Sequence, residues 1–358
     1  MTIRVLVVDD SAYVRRTVGG LIANADGLEL CGAAADGRDA LDQVARLRPD
    51  VITLDLEMPR MDGYTFLRML MSQRPTPVLV LSAHSARDRV FRALELGAVD
   101  FVAKPAAGGL GDIADEVITK LRVLAGAALP ASLARTTLRG LPALGRAPAT
   151  VAAVADGAVP TRVVCVGAST GGPSALRTVF ESLPGDLPAA VLVSQHMPKS
   201  FTGAFARRLD AVSALRVKEA VSGDRLAVGE VLVCPGDGSL TVERGAGGAL
   251  LARIDHQSAP GRIVPSIDRM MTSAAAVFGA HTLGVILTGM GKDGSEGVIA
   301  IHERGGHAIA ESEDTAVIFG MPGEALRTGA VARSVPIYAI AAAITRFCNA
   351  GDGERDHG

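Results

Sequence analysis

The sequence predicts an α/β protein of two domains, each built on a sheet that is parallel or mostly parallel. Short apolar runs alternate with stretches of helical periodicity along nearly the whole chain, which is typical of βα units. The alternation breaks at 125–160, where Ala, Pro, Gly, Leu and Arg dominate. A chain of 358 residues is also longer than one core usually supports. We therefore expect a first domain at 1–124, a linker at 125–160 and a second domain at 161–348.

The composition excludes several classes of protein. A net charge of −2 with only 3% aromatic residues gives no strongly basic surface for nucleic acid. No apolar stretch reaches the roughly 18 residues that span a bilayer, and the first apolar run is too short for a signal peptide. The four cysteines form no CxxC pair, which favours buried thiols over a metal site or disulfide. We expect a cytoplasmic monomer that does not insert into membranes.

The first domain contains five apolar runs with helical segments between them. The runs are IRVLVV, LELCGA, DVITL, PVLVL and DFVA. Continuous apolar strands that alternate with helices predict a five-stranded parallel sheet covered on both faces.

A cluster of charged residues is expected at the carboxyl edge of this sheet. Asp9 and Asp10 follow the first strand, Asp55 lies at the end of the third, Ser82 ends the fourth and Lys104 follows the fifth. Strand ends of an open parallel sheet share one edge, where ligands bind. Three carboxylates at one point are unfavourable without a cation, and their oxygens suit Mg²⁺. Any one position could be ordinary surface charge, but the five together favour a site in which a carboxylate accepts a phosphoryl group.

These residues lie in motifs that resemble the response-regulator receiver domain. The motifs are VLVVDDS, TLDLEMPRMDG, LSA and DFVAKP, with Ser82 where the family often has threonine. The resemblance implies a flavodoxin-like fold and a phosphorylated Asp55. It also implies Mg²⁺ held by Asp9, Asp10, Asp55 and the Glu57 backbone carbonyl, phosphoryl contacts from Ser82 and Lys104, and Phe101 as an aromatic switch residue.

The second domain has the same alternation and a turn-rich insert. Its predicted strands are TRVVCVG, AAVLVSQ, RLAVGEVLVC, SLTVER, LLARID, LGVILTG and HAIAES. Helices are expected at 173–182, 200–209, 265–279, 293–304, 322–327 and 336–347. This pattern predicts a doubly wound, mostly parallel sheet with a β-hairpin insert near 225–255 and a disordered tail at 349–358.

The turn in VVCVGASTGGPSAL poses a choice between two chemistries. A Gly-rich turn between strand and helix can cradle a phosphate, or it can lift a serine out of the fold as a nucleophile. Gly167-Ala168-Ser169-Thr170-Gly171 fits the G-x-S-x-G elbow. The glycine spacing does not fit G-x-G-x-x-G, and the Lys-[Ser/Thr] ending of a P-loop is missing. The nucleophile is therefore favoured.

A nucleophilic serine needs a base and an orienting acid, and placement selects both. His196 closes a predicted strand, and Asp293 lies in the loop after another, so both belong to the same sheet edge as Ser169. The order Ser, His, Asp differs from that of α/β-hydrolases, but triads are defined by geometry. Alternatively, Ser169 caps the helix that begins near Pro173, and Asp293 caps the helix after Gly294.

Five motifs of this domain are similar to the chemotaxis protein-glutamate methylesterase family. They are VGASTGGPSAL, SQHMPKSFT, PSID, LTGMGKDG and IFGMP, and the match spans about 161–345. The resemblance implies a catalytic triad of Ser169, His196 and Asp293, with the N–H groups of Thr170 and Met290 as an oxyanion hole. It implies methyl-accepting chemotaxis receptors as substrate and a histidine kinase as phosphodonor. The esterase reaction itself would need no cofactor.

The sequence therefore predicts a serine hydrolase whose active site lies in the second domain. Phosphorylation of Asp55 would activate it, because the receiver would then stop covering the active-site edge of that domain. It would demethylate glutamate methyl esters and deamidate glutamines on receptors. The alternatives are a phosphorylation-gated adaptor and a methylesterase of a pathway other than motility. A DNA-binding regulator would need a compact, basic helix-turn-helix output, and an oxidoreductase would need the dinucleotide fingerprint.

Overall fold

The computed structural model describes residues 2–83, 87–105, 109–127, 158–256 and 263–350. The chain divides into an N-terminal and a C-terminal compact unit. Most of the predicted linker, 125–160, and of the predicted disordered tail, 349–358, lies outside the described residues. Within the described ranges, no helix combines the length and apolar character needed to cross a membrane.

The N-terminal unit contains a five-stranded, wholly parallel sheet, as predicted. Its strands are β1 (Ile3–Val8), β2 (Leu28–Ala34), β3 (Val51–Leu54), β4 (Val78–Ala83) and β5 (Asp100–Lys104). They pair in the order β2-β1-β3-β4-β5, which is the flavodoxin-like order. The helices between and after them are α1 (Ala12–Ala23), α2 (Gly37–Leu47), α3 (Gly63–Gln73), α4 (Arg87–Glu95) and α5 (Ala114–Ala125).

Local sequence explains where three of these helices begin. The side chains of Ser11, Asp36 and Asp62 accept hydrogen bonds from backbone N–H groups in the first turns of α1, α2 and α3. Such caps satisfy amides that have no partner inside the helix. Ser11 and Asp62 lie close to Asp9 and Asp55 in the chain, so the caps also fix the loops that carry the acidic residues.

The C-terminal unit contains a larger sheet and a separate hairpin. The sheet is formed by β6 (Val163–Ala168), β7 (Ala190–Gln195), β8 (Arg216–Glu219), β9 (Glu230–Val233), β12 (Thr282–Ile286), β13 (His307–Glu311) and β14 (Arg333–Val335). Its order is β14-β13-β12-β6-β7-β9-β8, with every pairing parallel. The predicted hairpin insert is β10 (Ser239–Arg244) with β11 (Leu250–Asp255), which pair antiparallel.

The strand predictions of this unit were wrong in two respects. The sequence analysis assigned no strand at β8 or at β14, both of which lie on the edges of the sheet. These two strands have only four and three residues, and both begin with an exposed arginine. Short, partly exposed edge strands carry little apolar signal. The segment RLAVGEVLVC was predicted as one strand, but only Glu230–Val233 belongs to the sheet.

Six helices pack with this sheet and its connections. They are α6 (Gly172–Phe180), α7 (Lys199–Asp210), α8 (Ile267–Phe278), α9 (Ser295–Glu303), α10 (Gly320–Arg327) and α11 (Ile337–Asn349). Helix α8 lies close against β6, because a Cβ at Gly167 would fall 2.4 Å from Ile267 Cγ2. Only glycine at this position lets the helix approach the strand so closely.

The connectivity makes β6 the turning point of the sheet. From β6 the chain builds one side through β7, and it later crosses to the other side to form β12. At such a reversal the connections leave in opposite directions, and a crevice forms at the carboxyl ends of the strands. The loops after β6, β7 and β12 therefore meet at one edge.

Candidate functional site

Ser169 lies at the carboxyl edge of the central strand, directly after β6. Its N–H donates to the Thr288 carbonyl at 3.0 Å, and its own carbonyl accepts from Gly172 N–H at 2.8 Å. Gly171 forms the turn with a φ of +78°, a conformation that favours glycine. A Cβ at Gly172 would lie 2.0 Å from Gln195 Oε1. The glycines therefore set the path of the turn, and the Ser169 side chain is half-buried.

The capping alternative for Ser169 does not hold. The residue at the N-terminus of α6 is Gly171, and the described structure has no side-chain hydrogen bond that caps this helix. Among the described residues, Ser169 Oγ therefore does not cap α6.

His196 follows β7 directly and contacts Asp293 through its ring. Its Nε2 lies 2.8 Å from Asp293 Oδ2. Burial acts to raise the pKa of Asp293, but hydrogen bonds from His196 and from two backbone amides outweigh it and hold the pKa below its usual value. Because the acid is a carboxylate, Nε2 carries the hydrogen that it donates, and Nδ1 keeps a lone pair. Nδ1 is therefore the ring nitrogen that can take a proton.

Asp293 also binds the start of helix α8. Its carboxylate accepts hydrogen bonds from Ile267 N–H at 2.8 Å, from Asp268 N–H at 3.0 Å and from Ser266 Oγ at 3.3 Å. The expected alternative, a cap of the helix after Gly294, is wrong, because Asp293 caps α8 and not α9. The carboxylate thus joins α8 to the histidine and is held in place by four groups.

Ser169 and His196 directly follow β6 and β7, two strands that pair with each other. His196 N–H donates to the Ala168 carbonyl at 3.0 Å, and Gly167 and Ala168 pair with Ser194 and Gln195. Among the contacts of the described residues, none is a hydrogen bond between Ser169 Oγ and the His196 ring. Such bonds are often long without substrate and tighten in the reacting complex. The structure brings the predicted base and the predicted orienting acid into contact, and it places the predicted nucleophile at the end of the neighbouring strand.

The two predicted oxyanion-hole residues lie on loops next to Ser169. Thr170 is buried, and its carbonyl accepts from Thr288 Oγ1 at 2.9 Å. Met290 follows Gly289, where a Cβ would fall 2.7 Å from Ser169 Cβ. The loop that carries Met290 therefore passes directly beside the serine. The role of both backbone amides stays a prediction.

In the N-terminal unit, Lys104 joins two of the predicted acidic residues. Its Nζ lies 2.8 Å from Asp9 Oδ2 and 2.7 Å from Asp55 Oδ1. Burial acts to lower the pKa of Lys104, but the two carboxylates more than offset it and raise the pKa. The remaining oxygens accept backbone hydrogen bonds, Asp9 from Ser11 N–H at 2.9 Å and Asp55 from Glu57 N–H at 2.8 Å.

The other two predicted metal-binding groups are Asp10 and the backbone carbonyl of Glu57. Asp10 is exposed, and the Glu57 side chain, which is not the predicted ligand, forms an ion pair with Arg89 of α4. No three His, Cys, Asp or Glu side chains in the described ranges form a group that could hold a metal ion. The structure brings two of the predicted carboxylates, Asp9 and Asp55, together on Lys104, and the part of Asp10 and of the Glu57 carbonyl in metal binding stays a prediction.

The donor chemistry of this cluster nevertheless fits a divalent cation. Burial raises the pKa of Asp9, with the Asp55 charge adding to the effect, although the contact with Lys104 opposes it. One lysine thus faces two carboxylates, which leaves a net negative charge in a partly buried place. Carboxylate oxygens with room for water are the ligands that Mg²⁺ prefers.

Ser82 and Phe101 lie in the strands that flank this cluster. Ser82 is buried in β4, paired with Ala103 of β5. Phe101 is buried in β5 with Lys120 Nζ 5.8 Å from the centre of its ring. Ser82 lies at the same end of the sheet as Lys104, whereas Phe101 is the second residue of β5 and lies further from that end. Their parts in phosphoryl contact and switching stay predictions.

Comparison with known proteins identifies both units. A family model described as CheB methylesterase matches residues 164–344, and one described as response regulator receiver domain matches residues 5–112. Over 349 residues the chain is 49% identical to a protein-glutamate methylesterase/protein-glutamine glutaminase of Anaeromyxobacter dehalogenans, covering 97% of this chain and 96% of that relative. The chain belongs to the CheB methylesterase family. A Geobacter sulfurreducens relative with the same activities in its name is 45% identical and covers 97% of both chains.

A solved structure supports the fold of the hydrolytic domain. The CheB methylesterase catalytic domain of Thermotoga maritima is 37% identical, with a TM-score of 0.50, and covers 52% of this chain and 97% of that chain. The predicted CheB methylesterase family, the receiver domain and the two α/β folds are thus confirmed. The protein combines a response-regulator receiver with a CheB methylesterase domain.

Four further residues support the site of this CheB methylesterase and were not found by sequence reasoning. Gln195 Nε2 donates to the carbonyls of Ser169 and His196 at 2.9 and 3.0 Å. Thr288, Asp268 and the buried Glu311 hold the backbone around Ser169 and Asp293. Gln195 and Asp268 lie inside the quoted motifs SQHMPKSFT and PSID. Their place in these motifs is the sequence signal that could have marked them as residues of the site. Nothing in the sequence distinguishes Glu311 from other acidic residues at strand ends.

Proposed function

We propose that this protein is a serine hydrolase that removes methyl groups from glutamate methyl esters on chemotaxis receptors and is activated by phosphorylation of Asp55. One observation carries the proposal. Ser169, whose hydroxyl does not cap the helix after it, lies at the switch point of the sheet, and the paired strand β7 leads to a histidine whose ring contacts a buried carboxylate. The names of the relatives supply the substrate class, a protein glutamate ester.

The first half of the reaction forms an acyl-enzyme. Ser169 Oγ attacks the ester carbonyl carbon while its proton passes to His196 Nδ1, and the carbonyl oxygen becomes an oxyanion. The backbone amides of Thr170 and Met290 are the proposed donors to this oxyanion. As the intermediate collapses, the C–OCH₃ bond breaks and His196 returns the proton, so that methanol leaves. Asp293 stabilises the imidazolium between these two steps.

The second half of the reaction regenerates the enzyme. Water attacks the acyl carbon and gives a proton to His196, and the bond to Ser169 Oγ then breaks as the serine takes that proton back. The product is a glutamate side chain. The same sequence of steps on a glutamine side chain releases ammonia instead of methanol, which gives the deamidase activity in the names of the relatives.

In the receiver domain, Asp55 is the proposed acceptor of a phosphoryl group from a histidine kinase. Asp9, Asp10, Asp55 and the Glu57 carbonyl would hold Mg²⁺, which when bound supplies positive charge at the phosphoryl oxygens. Lys104 and Ser82 would contact the phosphoryl group, and Lys104 already lies 2.7 Å from Asp55. This protein would bind the receptor tails and the kinase in the cytoplasm.

The test combines hydrolysis with labelling of the serine. Methanol release from methylated receptor membranes is measured for the wild type and for Ser169→Ala, with Ser174→Ala on α6 as the matched control. A serine-directed phosphonate should label the wild type and the control at Ser169 and should stop methanol release. Turnover retained in Ser169→Ala, or a label on another residue, would exclude the proposed nucleophile.

Regulation is tested separately with a small phosphodonor. Acetyl phosphate and Mg²⁺ should increase methanol release from the wild type and from Asp42→Asn, an exposed change on α2. Asp55→Asn should stay at the basal rate. A rate that rises equally in Asp55→Asn would place the phosphorylated residue elsewhere.

A further inference from the structure

Two acidic residues of the hydrolytic domain cap each other's helices. Asp293, in the loop before α9, accepts hydrogen bonds from the first amides of α8, including the N–H of Asp268. Asp268, in the first turn of α8, accepts from the N–H groups of Gly294 and Gly297, both at 2.8 Å and both at Oδ1. The start of α8 is thus capped by Asp293 together with Ser266, whose side chain accepts from Arg269 N–H, and the start of α9 is capped by Asp268.

Helix α9 depends on this arrangement because it has no cap of its own. The residue at its N-terminus is Gly294, which has a φ of +100° and no side chain that could accept a hydrogen bond. A side chain is disfavoured at Gly294, both by its φ and because a Cβ would lie 2.4 Å from Ile286 Cδ1. Amides at a helix N-terminus need a partner from outside the helix, and Asp268 supplies an acceptor for two of them.

The two caps act on the same short segment. Gly294 follows Asp293 in the chain, so the hydrogen bond from Gly294 N–H to Asp268 fixes the peptide group that joins Asp293 to the helix. Without it, the Asp293 carboxylate would still bind α8, but among the described contacts the backbone of this loop would keep mainly the hydrogen bond from Ser295 N–H to the Lys292 carbonyl. The distance of 2.8 Å between Asp293 Oδ2 and His196 Nε2 depends on that backbone position.

We propose that Asp268 is a positioning residue of the hydrolytic site, which holds Asp293 against His196 by binding the backbone N–H groups of Gly294 and Gly297. This inference rests on the proposed function, in which Asp293 orients the catalytic histidine. Asp268 itself contacts neither the substrate nor the reacting atoms. The motif PSID, which contains it, thereby gains a role that the triad alone does not give it.

The Asp268 carboxylate carries a charge as well as an acceptor oxygen. The groups that face it are the Asp293 carboxylate and the amides of Gly294 and Gly297. Burial, together with the Asp293 charge, raises the pKa of Asp268 to about 6. When ionised, Asp268 places a second negative charge behind Asp293, so a test of its positioning role must separate the hydrogen bonds from the charge.

Two substitutions separate position from charge. Asp268→Asn keeps an oxygen that can accept from Gly294 and Gly297, whereas Asp268→Ala removes it. We expect Asp268→Ala to lower kcat by about a hundredfold, the size of effect that a displaced catalytic group produces. Asp268→Asn should keep most of the wild-type kcat, because the acceptor oxygen remains although the charge is lost. Asp314→Ala, an exposed change in the loop after β13, is the control and should resemble the wild type.

Amide hydrogen exchange in the full-length protein tests the inference without using catalysis. Gly294 and Gly297 should exchange faster in Asp268→Ala but not in Asp268→Asn. Failure of the wild type to release methanol would contradict the proposed function but leave this exchange result intact. If Asp268→Ala is active and exchanges like the wild type, or if Asp268→Asn folds but loses as much kcat as Asp268→Ala, the inference is wrong.

Discussion

Asp293 Oδ2 lies 2.8 Å from His196 Nε2 although the two residues are 97 positions apart in the chain. The contact forms because β7 and β12 are the neighbours of β6 on its two sides, so that the loops after them converge on the loop that carries Ser169. The same carboxylate accepts two backbone N–H groups of α8. Asp293 is thus an ionised acceptor in a fixed position. It accepts from Nε2 of His196 and leaves Nδ1 as the ring nitrogen that can take a proton.

The first prediction concerns the charge of this acceptor. Asp293→Asn keeps the shape of the side chain but puts a neutral amide against Nε2, so the tautomer with a free Nδ1 is no longer favoured. We expect kcat for methanol release to fall by about 10⁴-fold, as in other serine triads whose carboxylate is replaced by an amide. Glu303→Gln, at an exposed position on α9, should leave kcat unchanged. A loss of less than about tenfold would mean that Asp293 does not orient the base.

The second prediction concerns the amide that links the two catalytic loops. Both N–H groups of Gln195 are used, one on the Ser169 carbonyl and one on the His196 carbonyl. Gln195→Glu would set a carboxylate against two carbonyl oxygens. The Ser169 carbonyl would keep its hydrogen bond from Gly172 N–H, whereas the His196 carbonyl would lose the donor that Gln195 supplies. We expect a loss of about 1 to 3 kcal/mol in unfolding free energy, the cost of one unpaired buried group, and slower phosphonate labelling of Ser169.

The matched control for this substitution is Gln73→Glu. It makes the same chemical change at an exposed position at the end of α3, where no buried carbonyl depends on the amide. Calorimetry of both variants gives the comparison. If Gln195→Glu unfolds at the wild-type temperature and labels at the wild-type rate, Gln195 does not join the two loops.

The third prediction concerns the pH dependence of stability. Burial raises the pKa of Glu311 to about 7 in the folded protein from 4.5, while hydrogen bonds from Thr288 and Thr315 only partly oppose the shift. The folded state then binds this proton more tightly than the unfolded state. The stabilisation of the folded state by this proton is therefore complete below pH 4.5 and is lost as the pH rises through about 7. The shift corresponds to roughly 3 kcal/mol.

Glu311→Gln tests this prediction, because the amide has no proton to lose. In calorimetry between pH 5 and 8, the unfolding transition of the C-terminal unit should lose stability with rising pH in the wild type and should do so less in the variant. Glu313→Gln, two residues further and exposed, should follow the wild type. Parallel curves for wild type and Glu311→Gln would show that Glu311 does not titrate in this range.

The fourth prediction concerns the cation in the receiver domain. Asp9 and Asp55 share Lys104, and burial raises the pKa of Asp9, so added positive charge should be stabilising. Mg²⁺ at about five times its Kd should stabilise the N-terminal unit by about 1 kcal/mol. Asp9→Asn should abolish this gain, and Asp42→Asn should keep it. An equal gain in Asp9→Asn would place the cation away from Asp9.

Much of the fold could be predicted because apolar runs and helical spacing are local signals. The five receiver strands and the main strands of the second sheet were found from them. The short edge strands β8 and β14 were not, since an edge strand is only partly buried and its residues need not be apolar. The separate hairpin was found because glycine clusters mark its turns.

By itself, the sequence determined the α/β class, the two-domain order and the family, because motifs such as VGASTGGPSAL and TLDLEMPRMDG carry their own chemistry. It also selected His196 and Asp293, since strand ends of a parallel sheet share one edge. The tertiary structure decided which helix Asp293 caps, that Asp268 caps α9 in return, and that Gln195 bridges the catalytic loops. These are hydrogen bonds between segments distant in the chain, and no local periodicity or spacing encodes them.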